Sequence, residues 1–116
     1  MNKEFVPYEQ ALALKELGFD EPCFGRYWNG ELKILMFSEQ FINPSHVALA
    51  PTFFQAFRWF REKYGLPSWI YTSNNKEYWY SVLKDGRMLV RDYKPFETYE
   101  EAELACLKKL IEIVKQ

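Results

Sequence analysis

The sequence predicts an α+β fold: an antiparallel sheet of about five strands with three helices, in the order α-ββ-α-βββ-α, forming a two-layer sandwich. Three observations lead there. Two dipeptides, Asn29-Gly30 and Asp85-Gly86, interrupt runs rich in aromatic and aliphatic residues, and both readily adopt the positive φ values that a type I′ hairpin demands. Three further segments carry apolar residues at helical spacing. The chain has 116 residues, enough for one domain spanning 1–116 that buries about two-thirds of its unfolded surface. Hairpin-linked strands with helices between them favour helices laid on one face of the sheet.

The first helix is predicted over 7–17. Pro7 suits a first turn, Ala11, Leu14 and Leu17 share a face, and Gly18 closes the end. Glu9 and Glu16 mark its wet side. A hairpin follows over 23–35. Pairing Trp28 with Glu31 sets Tyr27 against Leu32 and Gly25 against Ile34 on one side. Phe24, Arg26, Trp28, Lys33 and Leu35 take the other side, where the opposed Arg26 and Lys33 repel and so favour water. Residues 36–49 show no clean period, although Asn43-Pro44-Ser45 marks a turn.

The second helix opens at Pro51 or Thr52 and ends near Tyr64-Gly65. Phe53, Ala56, Phe57, Phe60 and Tyr64 form its apolar stripe, with Gln55, Arg58 and Glu62 opposite. Phe54 and Trp59 lie on the flanks, open to burial or to a partner. A meander is predicted next, over 68–72, 77–84 and 87–93, its first turn being Ser73-Asn74-Asn75-Lys76. The last helix starts at a capping box, Thr98 with Glu101 three residues on. Acidic Glu100, Glu101 and Glu103 crowd its positive end and Lys108, Lys109 and Lys115 its negative end. Ala102, Cys106, Leu110 and Ile113 centre a broad apolar arc. Glu103 falls inside that arc on a helical wheel, which reads as a position early in the helix, before the arc enters the core.

Composition narrows the function. With 15 basic and 16 acidic side chains the net charge is −1, so no global field steers the chain toward nucleic acid or an anionic membrane. No apolar stretch approaches the roughly 18 residues a membrane span needs, and the acidic residue in Met1-Asn2-Lys3-Glu4 does not suit a signal peptide. Two distant cysteines, Cys23 and Cys106, make no disulfide framework. A cytoplasmic protein is expected.

Catalytic sets are scarce. Cys23 and His46, with Asn43 to orient the imidazole, are the one candidate nucleophile pair, yet an isolated buried cysteine ordinarily acts as a small hydrophobe. Cys106 lies within the apolar arc of the last helix. One histidine and two distant cysteines cannot furnish a usual zinc set, and the five glycines are scattered at turns, so no phosphate loop forms. No metal, no cofactor and no enzymatic activity are expected.

Aromatic residues make up 19% of the chain, and the meander gathers many of them. With Lys84 opposite Arg87 and Thr72 opposite Glu77, one face carries Trp69, Tyr80 and Arg91 in a row and Tyr71, Tyr78 and Tyr93 in the next. The opposite face then holds Ile70, Trp79, Ser81, Leu83, Met88 and Val90, suited to lying under helices. An aromatic sheet face with an arginine serves a protein hot spot or a base-stacking platform. It also serves the sheet alone, since cross-strand aromatic pairs are stabilising without any ligand. A one-residue slip would dissolve the rows.

Three segments taken together, 8–23 with Lys15-Glu16-Leu17-Gly18-Phe19-Asp20, 56–66 with Ala56-Phe57-Arg58-Trp59-Phe60-Arg61, and 98–107 with Thr98-Tyr99-Glu100-Glu101-Ala102, resemble short uncharacterised proteins of gut Bacteroidales and of their phages and mobile elements. The resemblance implies a bacterial cytoplasm and a phage or mobile-element accessory role. It implies no cofactor and no catalytic residue.

The expected function is therefore a non-enzymatic protein-interaction module that binds another protein or a second copy of itself as a homodimer. Its contact residues are expected to be Trp69, Tyr71, Tyr78, Tyr80, Arg91 and Tyr93, with Phe54 and Trp59 as a weaker second surface. The alternative is a single-stranded nucleic-acid accessory protein, in which the aromatics stack bases while Arg26, Lys33, Arg58, Arg61 and Arg91 meet phosphates; that reading demands steep salt dependence. A cysteine-dependent enzyme comes third.

Overall fold

Both predicted hairpin dipeptides turn the chain through left-handed backbone. Asn29 and Gly30 have φ of 51° and 82°, and Asp85 and Gly86 have φ of 52° and 76°, the pattern of type I′ turns. Around them the chain, a computed structural model describing residues 2–34, 47–91 and 94–116, is an α+β protein with three helices and two three-stranded antiparallel sheets. It divides into two compact units, Met1–Gln55 and Ala56–Gln116.

In the first unit, α1 (Tyr8–Glu16) starts after Pro7 and buries Ala11 and Leu14. Its end is fixed by Gly18, whose φ of 94° lets the Phe19 N–H return to the Leu14 carbonyl at 3.0 Å while the Gly18 N–H reaches Lys15 O at 3.0 Å. That pair of bonds satisfies carbonyls the helix would otherwise leave open. Strands β1 (Gly25–Trp28) and β2 (Glu31–Ile34) pair in the expected register, Trp28 with Glu31 and Gly25 with Ile34.

A further strand, β3 (Val47–Ala50), lies in the stretch that shows no period in the sequence. All four of its residues are buried, and it runs antiparallel to β1 with Gly25 opposite Ala50. A strand with every side chain buried has no polar–apolar alternation to display, so Val-Ala-Leu-Ala carried no strand signature. The consequence is a correction to the expected single sheet of about five strands: β3 completes a separate sheet in the order β2-β1-β3. Helix α1 packs on β3, and the Lys15 ammonium donates to the Val47 carbonyl at 2.7 Å. The expected turn at Asn43-Pro44-Ser45 lies outside the described residues.

Helix α2 (Phe53–Tyr64) is capped by Thr52, whose hydroxyl accepts from the Gln55 N–H at 3.2 Å. It stops at Gly65, φ 66°. Phe53, Ala56, Trp59 and Phe60 are buried while Phe57 and Tyr64 are half-buried, so the apolar stripe is rotated toward Trp59 relative to the expected one.

The second unit contains β4 (Ser68–Thr72), β5 (Tyr78–Lys84) and β6 (Arg87–Arg91) in that spatial order. Helix α3 (Tyr99–Lys115) packs on β4 and β5. The Thr98 hydroxyl accepts from the Glu101 N–H at 3.1 Å and donates to the Glu101 carboxylate at 3.0 Å, the expected cap. Ala102, Cys106, Leu107, Leu110 and Ile111 form its buried side. Burying each of the larger ones contributes about 1.5–3 kcal/mol.

Candidate functional site

The aromatic face is decided by the turn between β4 and β5. Thr72 pairs with Tyr78, Tyr71 with Trp79, Ile70 with Tyr80 and Trp69 with Ser81. This is one residue away from the register that a four-residue turn gives. Glu77 is drawn into the turn by side chains. The Thr72 hydroxyl donates to Glu77 O at 2.7 Å and accepts from the Asn75 N–H at 3.0 Å, and Asn74 Oδ1 accepts from the Lys76 and Glu77 N–H groups at 2.9 and 3.1 Å. Asn75 takes the left-handed backbone, φ 62°. Such side-chain bonds offer the backbone an alternative to the ladder.

A second shift occurs on the other side of β5. Lys84 pairs with Arg87 and Leu83 with Met88, but Val82 pairs with Val90 and Ser81 with Arg91, leaving Leu89 as the extra residue of a bulge.

The slip moves residues between faces, because directly paired residues share a face and neighbours alternate. Trp69 and Tyr71 therefore share a face with Trp79, Ser81, Leu83 and Met88. Tyr78 and Tyr80, expected on that face, are on the opposite one with Ile70, Val82 and Val90, under α3. Tyr80 is only 4% exposed and its ring lies 6.3 Å from that of Phe96. The Tyr78 ring meets Tyr99 of α3 edge-on at 6.2 Å. Arg91 stands opposite Ser81 in the ladder, and Tyr93 lies outside the described residues. Of the weaker pair, Phe54 is 75% exposed whereas Trp59 is 5% exposed.

What remains on the face turned away from α3 is a smaller aromatic set. Trp69 is 40% and Met88 48% exposed, and the half-buried rings of Tyr71 and Trp79 stack at 5.8 Å and 18°. Trp79 and Met88, expected on the opposite face, are the residues that the sequence reading left out of this set. The signal that would have found them is Thr72-Ser73-Asn74-Asn75, a hydroxyl and an amide placed to bond their own turn. At the β5–β6 end, Lys84, Asp85, Arg87, Met88 and Leu89 line an open groove of about 460 Å³.

Burial disfavours the thiolate form at both cysteines. The Cys23 thiol donates to Glu21 O at 3.2 Å and is pushed up to about 12, by burial first and by the Glu21 charge, against a smaller lowering from Gln55. Cys106 is also pushed up to about 12 by burial, with Ser68 lowering it and Glu103 raising it. His46 and Asn43 lie outside the described residues. Among the described residues no group of three or more His, Cys, Asp or Glu is placed to hold a metal ion. No described helix is long and apolar enough to cross a membrane.

Glu103 departs from its expected setting. It is half-buried beside the fully buried Ala102 and Cys106, and burial, then the Glu100 charge, raise its carboxyl to about 7. The arc has already entered the core by this first turn and a half.

No protein-family model, curated protein or solved structure matches the chain.

Proposed function

We propose that the chain is a non-enzymatic protein-interaction module whose contact surface is the face of β4–β5–β6 turned away from α3. The observation that carries this is the exposure of Trp69 and Met88 on the face that also bears the Tyr71–Trp79 stack. Tyr and Trp give large contact areas at low entropic cost and keep a polar tip for water between encounters. Aromatic and methionine side chains are enriched where proteins bind one another. Both cysteines stay protonated at neutral pH, which speaks against thiolate chemistry. A bacterial cytoplasm and a phage or mobile-element accessory role belong to the same proposal, resting on the resemblance alone.

A photo-crosslinking residue at Met88, compared with one at the exposed Lys108 of α3, tests the reading. Protein adducts concentrated at position 88 are expected. Equal yields at both positions would contradict it. Adducts to an oligonucleotide at position 88, lost on raising salt, would instead favour the single-stranded nucleic-acid reading.

A further inference from the structure

The edges of the two sheets are guarded unequally. Edge strand β6 carries Arg87 and Arg91 at its ends and the bulge at Leu89. Edge strand β2 carries Glu31 and Lys33, ion-paired at 3.3 Å. Edge strand β3 is buried along its length, with Lys15 bonded to the Val47 carbonyl and Val6 N–H to that of Pro51 at 2.9 Å. Charges and bulges are the usual means of keeping a sheet edge from pairing with another chain. Strand β4, at the outer edge of its sheet, has neither. Its residues are Ser68, Trp69, Ile70, Tyr71 and Thr72, with no charge, no proline and no bulge.

The backbone of that edge faces outward in a symmetric pattern. The Leu83 N–H donates to Pro67 O at 2.9 Å, which marks that pair as hydrogen-bonded. Alternation then turns the backbone groups of Trp69 and Tyr71 toward β5, and those of Ser68, Ile70 and Thr72 away from it, to the outer side of the strand. Ile70 is the middle residue of the strand.

We propose that β4 is a self-association edge, pairing antiparallel with β4 of a second copy about a two-fold axis at Ile70. The proposal rests on the reading above in that it makes the aromatic face composite. An isologous contact requires a surface complementary to itself, and this strand meets the requirement in detail. Ile70 meets Ile70, Ser68 meets Thr72, and Trp69 meets Tyr71 twice. The two Trp69–Tyr71 pairs fall at non-hydrogen-bonded positions, where opposed side chains are closest and aromatic pairs contribute most. About six backbone bonds close the edge. So short a seam gives a small interface, and hence a concentration-dependent equilibrium rather than a permanent dimer.

Sedimentation velocity over a concentration series, with far-UV circular dichroism to verify folding, tests the pairing on two double variants. W69K/Y71K sets lysine against lysine twice and is expected to weaken the dimer by about tenfold or more. W69K/Y71E sets lysine against glutamate twice and is expected to regain most of that loss. In the unmodified chain, hydrogen exchange at the Ile70 amide should slow as concentration rises, while the Tyr71 amide, turned toward β5, stays protected throughout. A chain that remains monomeric, or a W69K/Y71K variant that dimerises undiminished, overturns the proposal. Failure of W69K/Y71E to recover, with exchange at Ile70 independent of concentration, overturns the edge pairing while leaving the aromatic face as the contact. The Met88 crosslink judges that face separately.

Discussion

Gly25 shows how tightly single positions are specified. A Cβ built there would stand 2.8 Å from two ring carbons of Phe5 and 2.9 Å from the Ala50 carbonyl. The glycine therefore lets the N-terminal segment lie directly on β1. Nearby, the buried Tyr27 hydroxyl donates to Val6 O at 2.9 Å, tying the same segment down. Gly25→Ala is expected to destabilise the protein by about 1–3 kcal/mol through overpacking, read from the urea midpoint at unchanged slope. A midpoint equal to that of the parent would mean that Phe5 does not pack on Gly25. In sequence this glycine is simply one strand residue of a hairpin, because close approach of a distant segment leaves no local trace.

At the scale of elements, whatever was encoded locally was legible. The two type I′ turns, the Thr98 cap, the Gly18 and Gly65 stops and the pairing of Trp28 with Glu31 all follow from chemistry within a few residues. Two elements were hidden for physical reasons. Strand β3 is apolar throughout, and the β4–β5 register is set by side-chain bonds in the turn rather than by its apparent length. Because the side-chain period of a strand is two, one extra turn residue exchanged Tyr78 and Tyr80 for Trp79 on the outer face. The bulge at Leu89 shifted β6 in the same way. Thr72→Val keeps the branched shape of a strand residue but removes the hydroxyl that holds Glu77 in the turn. The expected cost is about 1 kcal/mol, with faster amide exchange at Asn75. Unchanged exchange there would show that the turn does not depend on the Thr72 hydroxyl.

For the whole molecule, Glu103 makes stability depend on pH in a direction opposite to that of an ordinary salt-bridged carboxylate. Its carboxyl titrates near 4.5 when unfolded and near 7 when folded. Between those values the native state binds more protons than the unfolded chain, so stability falls as pH rises and the loss is complete above about 7. The groups around it on α3 are Tyr99, Glu100 and Cys106, none of them a cation that would reverse the sign. Thermal melts from pH 4.5 to 8 should show this decline in the parent and a flatter profile in Glu103→Gln, which should be the more stable of the two above pH 7. Parallel profiles would contradict the assignment. One register places Trp69, Tyr71 and Trp79 on the outer face and Tyr78 and Tyr80 under α3. Cross-strand Hα–Hα contacts in a nuclear Overhauser spectrum read it directly. A strong cross-peak is expected between Ile70 and Tyr80, a non-hydrogen-bonded pair with Cα atoms about 4.5 Å apart. A cross-peak joining Ile70 to Trp79, or Trp69 to Tyr80, would contradict this register and return the two tyrosines to the open face.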